Sequence, residues 1–188
     1  GYDSEGTGIA DLADLSGGSD DMPMSSMSFF ITSKTGSANL GGLAGADARC
    51  SRLATAAGVA GKRWAAYLST YTVNGVTGVD ARDRIGRGPW FNARGVVVAS
   101  SVTALHDAMI TLNKDTALDE KGGVVNGRGD SPNQHDILTG SKADGRVDGK
   151  ATCVNWTSEE VMGTADAGTV AIVGHHDRQG GGIDPPSW

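Results

Sequence analysis

The densest run of side chains able to bind a ligand or move a proton is His175-His176-Asp177. Imidazole nitrogens and carboxylate oxygens ligate divalent metals and also bond polar ligands directly. Neighbouring residues of a strand point to opposite faces, so His175 and His176 share an ion only where the backbone turns. No HExxH or CxxC motif adds ligands, and His106 and His135 are distant along the chain. The pattern therefore favours a hydrogen-bonded or ligand-contacting pair, with a metal-dependent hydrolase at His175, His176 and Asp177 as the alternative. Nucleophilic catalysis has less to build on, because no G-x-S-x-G elbow occurs and neither Cys50 nor Cys153 adjoins a histidine.

A second set of polar groups lies in glycine-punctuated loops. Gly127-Arg128-Gly129-Asp130 contains Arg-Gly-Asp, the tripeptide that adhesion receptors read in matrix proteins. Glycines on both sides of Arg128 and Pro132 after Ser131 favour a tight turn in which Asp130 and Asn133 bond the backbone. Asn126, Asp130, Asn133, Asp136, Asp144 and Asp148 are hard oxygen donors of the kind calcium takes, although the D-x-D-x-D-G spacing of an EF-hand is missing. Calcium is thus the one cofactor left open. Trp90, close to Asn92, and Trp156 adjoin loops rich in Asn and Asp. An aromatic face beside amides and carboxylates suits a shallow sugar site, and core packing is the competing role.

These residues need elements to hold them. Phe29-Phe30-Ile31-Thr32-Ser33 reads as a buried strand stopped by Lys34-Thr35-Gly36. Residues 39–45 are too rich in glycine for regular structure. Ala46, Cys50, Leu53 and Ala57 then fall at i, i+4, i+7 and i+11, one face of a helix that Gly58 ends. Residues 64–69 read as a strand with Trp64, Ala66 and Leu68 on one face, and residues 96–99 as another. Ser101 is placed to cap a second short helix. Brief apolar runs at Val124-Val125, Ile137-Leu138-Thr139 and Ala171-Ile172-Val173 alternate with turns, which points to α+β with much loop rather than repeated βαβ units. No internal repeat recurs at a fixed period.

Charge sharpens the division of the chain. Of 188 residues, with net charge −6, the six acids Asp3, Glu5, Asp11, Asp14, Asp20 and Asp21 all precede the first base, Lys34. The remaining acids and bases cancel, so the body carries no basic footprint for a nucleic acid. No stretch approaches the ~20 consecutive apolar residues of a membrane-spanning helix. Residues 1–27 read as an acidic Gly/Ser-rich tether and residues 28–188 as a compact domain. Such a lead is common in exported bacterial proteins, where it spaces a domain from an anchor.

Gly41-Gly42-Leu43-Ala44-Gly45-Ala46-Asp47-Ala48-Arg49-Cys50, running on to Trp64-Ala65-Ala66-Tyr67-Leu68-Ser69, resembles the opening of the endostatin domain of collagens. Leu138-Thr139-Gly140-Ser141, Asp144-Gly145-Arg146 and Cys153-Val154-Asn155-Trp156-Thr157-Ser158 are similar to a later region of that family. A bacterial, lectin-like branch looks closer still, through Gly88-Pro89-Trp90-Phe91-Asn92-Ala93, His135-Asp136-Ile137-Leu138-Thr139-Gly140 and Gly174-His175-His176-Asp177-Arg178.

The resemblance covers roughly residues 28–178. It implies a C-type-lectin-like fold, with two short helices, a twisted mixed sheet and long loops, used as an extracellular binding module. In that family four cysteines pair first with fourth and second with third. Cys50 and Cys153 match the first two; the resemblance leaves them reduced, joined to each other, or, as the preferred expectation, partnered by a C-terminal segment that the domain over residues 28–188 lacks or that another chain supplies.

The expectation is thus an exported, non-enzymatic adhesion or binding module for a glycan or matrix-type ligand. Its contact residues would be Trp90, Asn92, Asp130, Asn133, His135, His175, His176 and Asp177. A structural subunit of a surface assembly is the second expectation.

Overall fold

Turn chemistry recurs every few residues in a chain with 29 glycines, and it keeps the regular elements short. The computed structural model describes residues 26–107, 110–160 and 164–179, so the acidic lead lies outside the described residues except for its last two. In chain order the elements are α1 (Gly42–Ala56), α2 (Ala81–Arg84), β1 (Trp90–Phe91), β2 (Val97–Ala99), α3 (Val102–Leu105), β3 (Asp136–Leu138), α4 (Cys153–Trp156) and β4 (Val173–His175). This is a small α+β fold. Where a mixed sheet was expected, the ladders form two separate two-stranded antiparallel sheets, β1 with β2 and β3 with β4. Isolated bridges supplement them, and one, Ile31 with Asp119, is parallel.

Helix α1 begins four residues before its expected start and runs through glycines that weaken helix by about 1 kcal/mol each relative to alanine. Tertiary contact supplies the difference. Ala46, Leu68, Cys153 and Trp156 form one apolar cluster, with Leu40 and Leu43 packed against it, and the Leu40 amide bonds the Trp156 carbonyl at 2.9 Å. Ala46 and Ala54 are the helix's buried residues, while Cys50, Leu53 and Ala57 on the expected inner face are half-buried. Met27, assigned to the tether by composition, is fully buried against Ala54, Val59 and Ala93.

Residues 64–69 do not form the expected ladder strand. Side chains occupy the backbone groups that a neighbouring strand would use. The Ala66 amide donates to Asp47 Oδ1 at 2.8 Å, its carbonyl accepts from the Arg84 guanidinium, and the Leu68 amide turns back onto the Ala66 carbonyl. Arg84 is itself held by Asp47 at 2.7 Å. Elsewhere local signals suffice: Ser101 Oγ accepts the Ala104 amide at 3.1 Å and caps α3.

Element α4 is a left-handed turn. Cys153, Val154, Asn155 and Trp156 all have positive φ, between 48° and 68°, a conformation that costs about 1–2 kcal/mol per L-residue. The turn persists because its surroundings over-determine it. Asn155 pairs with the Tyr71 backbone like a strand, accepting its amide at 3.0 Å and donating to its carbonyl at 3.0 Å. Thr152 Oγ1 accepts the Asn155 amide, and the fully buried Trp156 indole donates to the Ser69 carbonyl at 2.8 Å.

Two substitutions around this turn have opposite expected effects. Val154→Gly relieves a strained β-branched residue at a partly exposed position and raises the urea midpoint, with stability higher by about 0.5–1 kcal/mol after the loss of chain entropy. Gly140 has φ +61°, and a Cβ there would lie 2.8 Å from Trp156 Cζ2 and 2.9 Å from Thr152 Cγ2. Gly140→Ala therefore lowers stability by about 2 kcal/mol in the same titration.

Candidate functional site

The β3–β4 ladder sets Asp136 opposite His175, Ile137 opposite Gly174 and Leu138 opposite Val173. Bonds from the His176 amide to the His135 carbonyl and from the Thr139 amide to the Ile172 carbonyl flank it. Antiparallel pairs alternate, so Asp136–His175 is a non-hydrogen-bonded pair, the kind that brings side chains closest. Asp136 Oδ1 lies 3.1 Å from His175 Nε2 and 3.1 Å from His135 Nε2. The two imidazoles stack with centroids 4.4 Å apart and planes 2° from parallel. His135, Asp136 and His175 thus offer ligand atoms within 4.8 Å of one another, with both histidines half-buried and Asp136 exposed.

The other two members of the histidine-rich run face inward. His176 is fully buried, as strand alternation requires, with Nε2 3.1 Å from the Asn126 carbonyl. Asp177, also buried, accepts the Arg128 amide at 2.6 Å and the Gln179 amide at 3.1 Å, and its Oδ1 lies 3.5 Å from His135 Nδ1. Burial works to raise its pKa, yet these amides and the neighbouring His135 and His176 outweigh it and hold the carboxyl below the usual carboxylate range. Its approach to the loop requires glycine at 127, where a Cβ would meet Asp177 Oδ2 at 2.5 Å. The set His175, His176 and Asp177 does not converge on one point, which corrects the ligand set of the hydrolase alternative. The convergent set takes its other members from across the sheet.

The remaining expected contact residues serve mainly the scaffold. Trp90 is 7% exposed and packs with Ile31, Val98 and Leu105. Asn92, 1% exposed, donates to the Thr116 carbonyl and accepts the Arg94 and Val96 amides. Asp130 Oδ2 accepts the Gly127 amide at 2.7 Å and pairs with Lys114, which draws its pKa down, so the Arg-Gly-Asp segment is the expected self-bonded turn. Asn133 Oδ1 accepts the His135 amide at 3.1 Å. Cys50 and Cys153 are both free thiols. Burial, aided by Asp47, pushes the Cys50 thiol up to about 11.

A feature with no local sequence signal lies beside the imidazole pair. A cleft of ≈ 380 Å³ has Phe29, Phe30, Ile31, Tyr67, Ile137 and Leu138 among its apolar lining, and Arg49, Asp119, Asn126, Gln134 and Asp136 among its polar lining. Two backbone edges border it. The amides of Phe29, Ile31 and Ser33 turn away, to Phe91, Leu118 and Glu120, which leaves Phe30 and Thr32 facing the other side. On β3, Asp136 and Leu138 point away from β4, and no backbone bond joins them to another described residue.

Comparison with models of known protein families gives no match, and a search of curated proteins gives none either.

The Asp177 anchor has a pH signature. Its carboxyl pKa is depressed on folding, so its stabilising contribution is complete above the unfolded value of about 3.9 and disappears as pH falls through the lower folded value. In Asp177→Asn the melting temperature is lower at pH 6. The gap to the parent protein narrows toward pH 2.

Proposed function

We propose that this chain is an exported, non-enzymatic binding or adhesion module on a C-type-lectin-like scaffold, and that it takes a carbohydrate or matrix-type ligand at the cleft beside β3. The observation that carries this reading is the cleft itself, in which an apolar wall meets amide, carboxylate and guanidinium groups. Sugar rings present apolar C–H faces and hydroxyl edges, which need that combination of surfaces. Aromatic contact would come from Phe29 and Phe30 at the cleft rather than from the packed Trp90. Tyr67 contributes its ring, because its hydroxyl is committed to His106 Nε2 at 2.7 Å. The imidazole pair extends the polar rim through Asp136, which belongs to both the cleft and the cluster.

A glycan array probed with the purified chain tests this. A saccharide preference is expected, and Gln134→Ala or His175→Ala reduces the signal, with binding weaker by about tenfold where one hydrogen bond is lost. No preference on the array, together with a His175→Ala variant that binds matrix preparations unchanged, overturns the proposal.

The two backbone edges, unpaired among the described residues, favour a second reading, a structural subunit whose cleft receives an extended segment of a neighbouring chain. An added strand would find main-chain partners on both walls and apolar lining for alternate side chains. Light scattering of the purified protein separates the readings: a large particle supports assembly, and a dispersed monomer opposes it.

A further inference from the structure

The geometry points to a binding site for one divalent transition-metal ion, of the zinc class, formed by His135 Nε2, Asp136 Oδ1 and His175 Nε2. The inference stands independently of the saccharide reading. Metal–nitrogen and metal–oxygen bonds of about 2.0–2.1 Å in tetrahedral geometry place ligand atoms roughly 3.3 Å apart. Both histidine nitrogens already lie 3.1 Å from Asp136 Oδ1. The ligand atoms of the two histidines lie within 4.8 Å of each other on stacked rings, so a turn of the imidazoles out of their parallel planes that brings these nitrogens together seats an ion. Two imidazoles with one carboxylate select a transition metal, since calcium and magnesium take oxygen ligands.

The surroundings of His135 give a second line of argument. Its ring lies between two carboxylates, with Asp136 Oδ1 3.1 Å from Nε2 and Asp177 Oδ1 3.5 Å from Nδ1. Nδ1 is buried and makes no hydrogen bond to a described residue, and the Asp177 carboxylate stands just beyond bonding range. With a metal ion at Nε2, Nδ1–H faces Asp177, the Nε2 lone pair faces the ion, and Asp136 becomes a ligand. Asp177 then stands where an outer carboxylate orients a metal-bound histidine. It is well suited to that role, being 1% exposed in its side chain and fixed by the amides of Arg128 and Gln179. Asp136, with 59% of its side chain exposed, leaves the remaining coordination position open to solvent or to an external ligand.

Zinc chloride titrated into the chelator-treated full chain tests the site, by calorimetry and by nitrogen-15 spectra of the histidine rings. One equivalent is expected to bind, with the Nε2 signals of His135 and His175 moving together while those of His106 and His176 stay in place. His175→Ala weakens binding by at least tenfold, and Asp177→Asn weakens it by about 10–100-fold as an outer-carboxylate loss. Should either variant fail to fold, the ring spectra of the parent protein decide alone. Zinc that leaves both ring signals unchanged, or that binds His175→Ala with unaltered affinity, overturns the site and assigns any uptake to the thiols of Cys50 and Cys153. The titration contains no saccharide, so a negative glycan array leaves its outcome unaffected.

Discussion

Strands β3 and β4 share three residue pairs, and a slip of one residue in an antiparallel ladder turns every side chain of a strand to the other face. The register holds because both faces are committed. On the inner face His176 is fully buried, and the Asp177 carboxylate just beyond the strand caps the turn that begins at Gly127. On the outer face the same register sets His175 against Asp136 and draws the His135 ring over it. One short pairing thus fixes the chemical cluster, a wall of the cleft and the loop at residues 126–130.

Most polar groups that looked available for ligands are consumed in holding a fold with little regular structure. Asp47 replaces a strand for Ala66, Asn155 for Tyr71, and Glu120 for Ser33, whose amide it accepts at 2.9 Å. Each of these side chains satisfies main-chain groups that a longer ladder would otherwise pair, and a buried group left unpaired costs about 1–3 kcal/mol. The same substitution explains how the left-handed turn at Cys153–Trp156 is tolerated. Its strain is local, while the bonds that oppose it reach Ser69, Tyr71 and Leu40, far away along the chain.

The proposed metal ion and the proposed ligand cleft meet at Asp136, which lines the cleft and contacts both imidazoles. An ion held there would add positive charge to a cleft whose lining includes Asp119 and Arg49. A ligand bearing hydroxyl or carboxylate groups would then find a cation as well as hydrogen-bond partners. Of the free thiols, Cys50 on α1 lines the cleft and Cys153 lies in the strained turn.

Sequence by itself determined what depends on nearest neighbours. Strand alternation separated His175 from His176, turn chemistry bent Asp130 and Asn133 onto their own backbone, and Ser101 capped its helix; of the face marked on α1, only Ala46 is buried. Short apolar runs between turns were enough for the α+β class. Tertiary structure alone decided which distant segments meet. Forty residues separate His135 from His175, and only the ladder register makes them stack; neither carries a local mark of the other. The same holds for residues 64–69, whose strand-like pattern yields to Asp47 and Arg84, and for Asn92, whose loop-side setting gives no sign of its burial, while for Trp90 the fold decided between core packing and ligand contact. Local preferences act over a few residues and contribute tenths to about one kcal/mol each, whereas packing and the pairing of buried polar groups act between whatever the fold brings together, with larger stakes per contact.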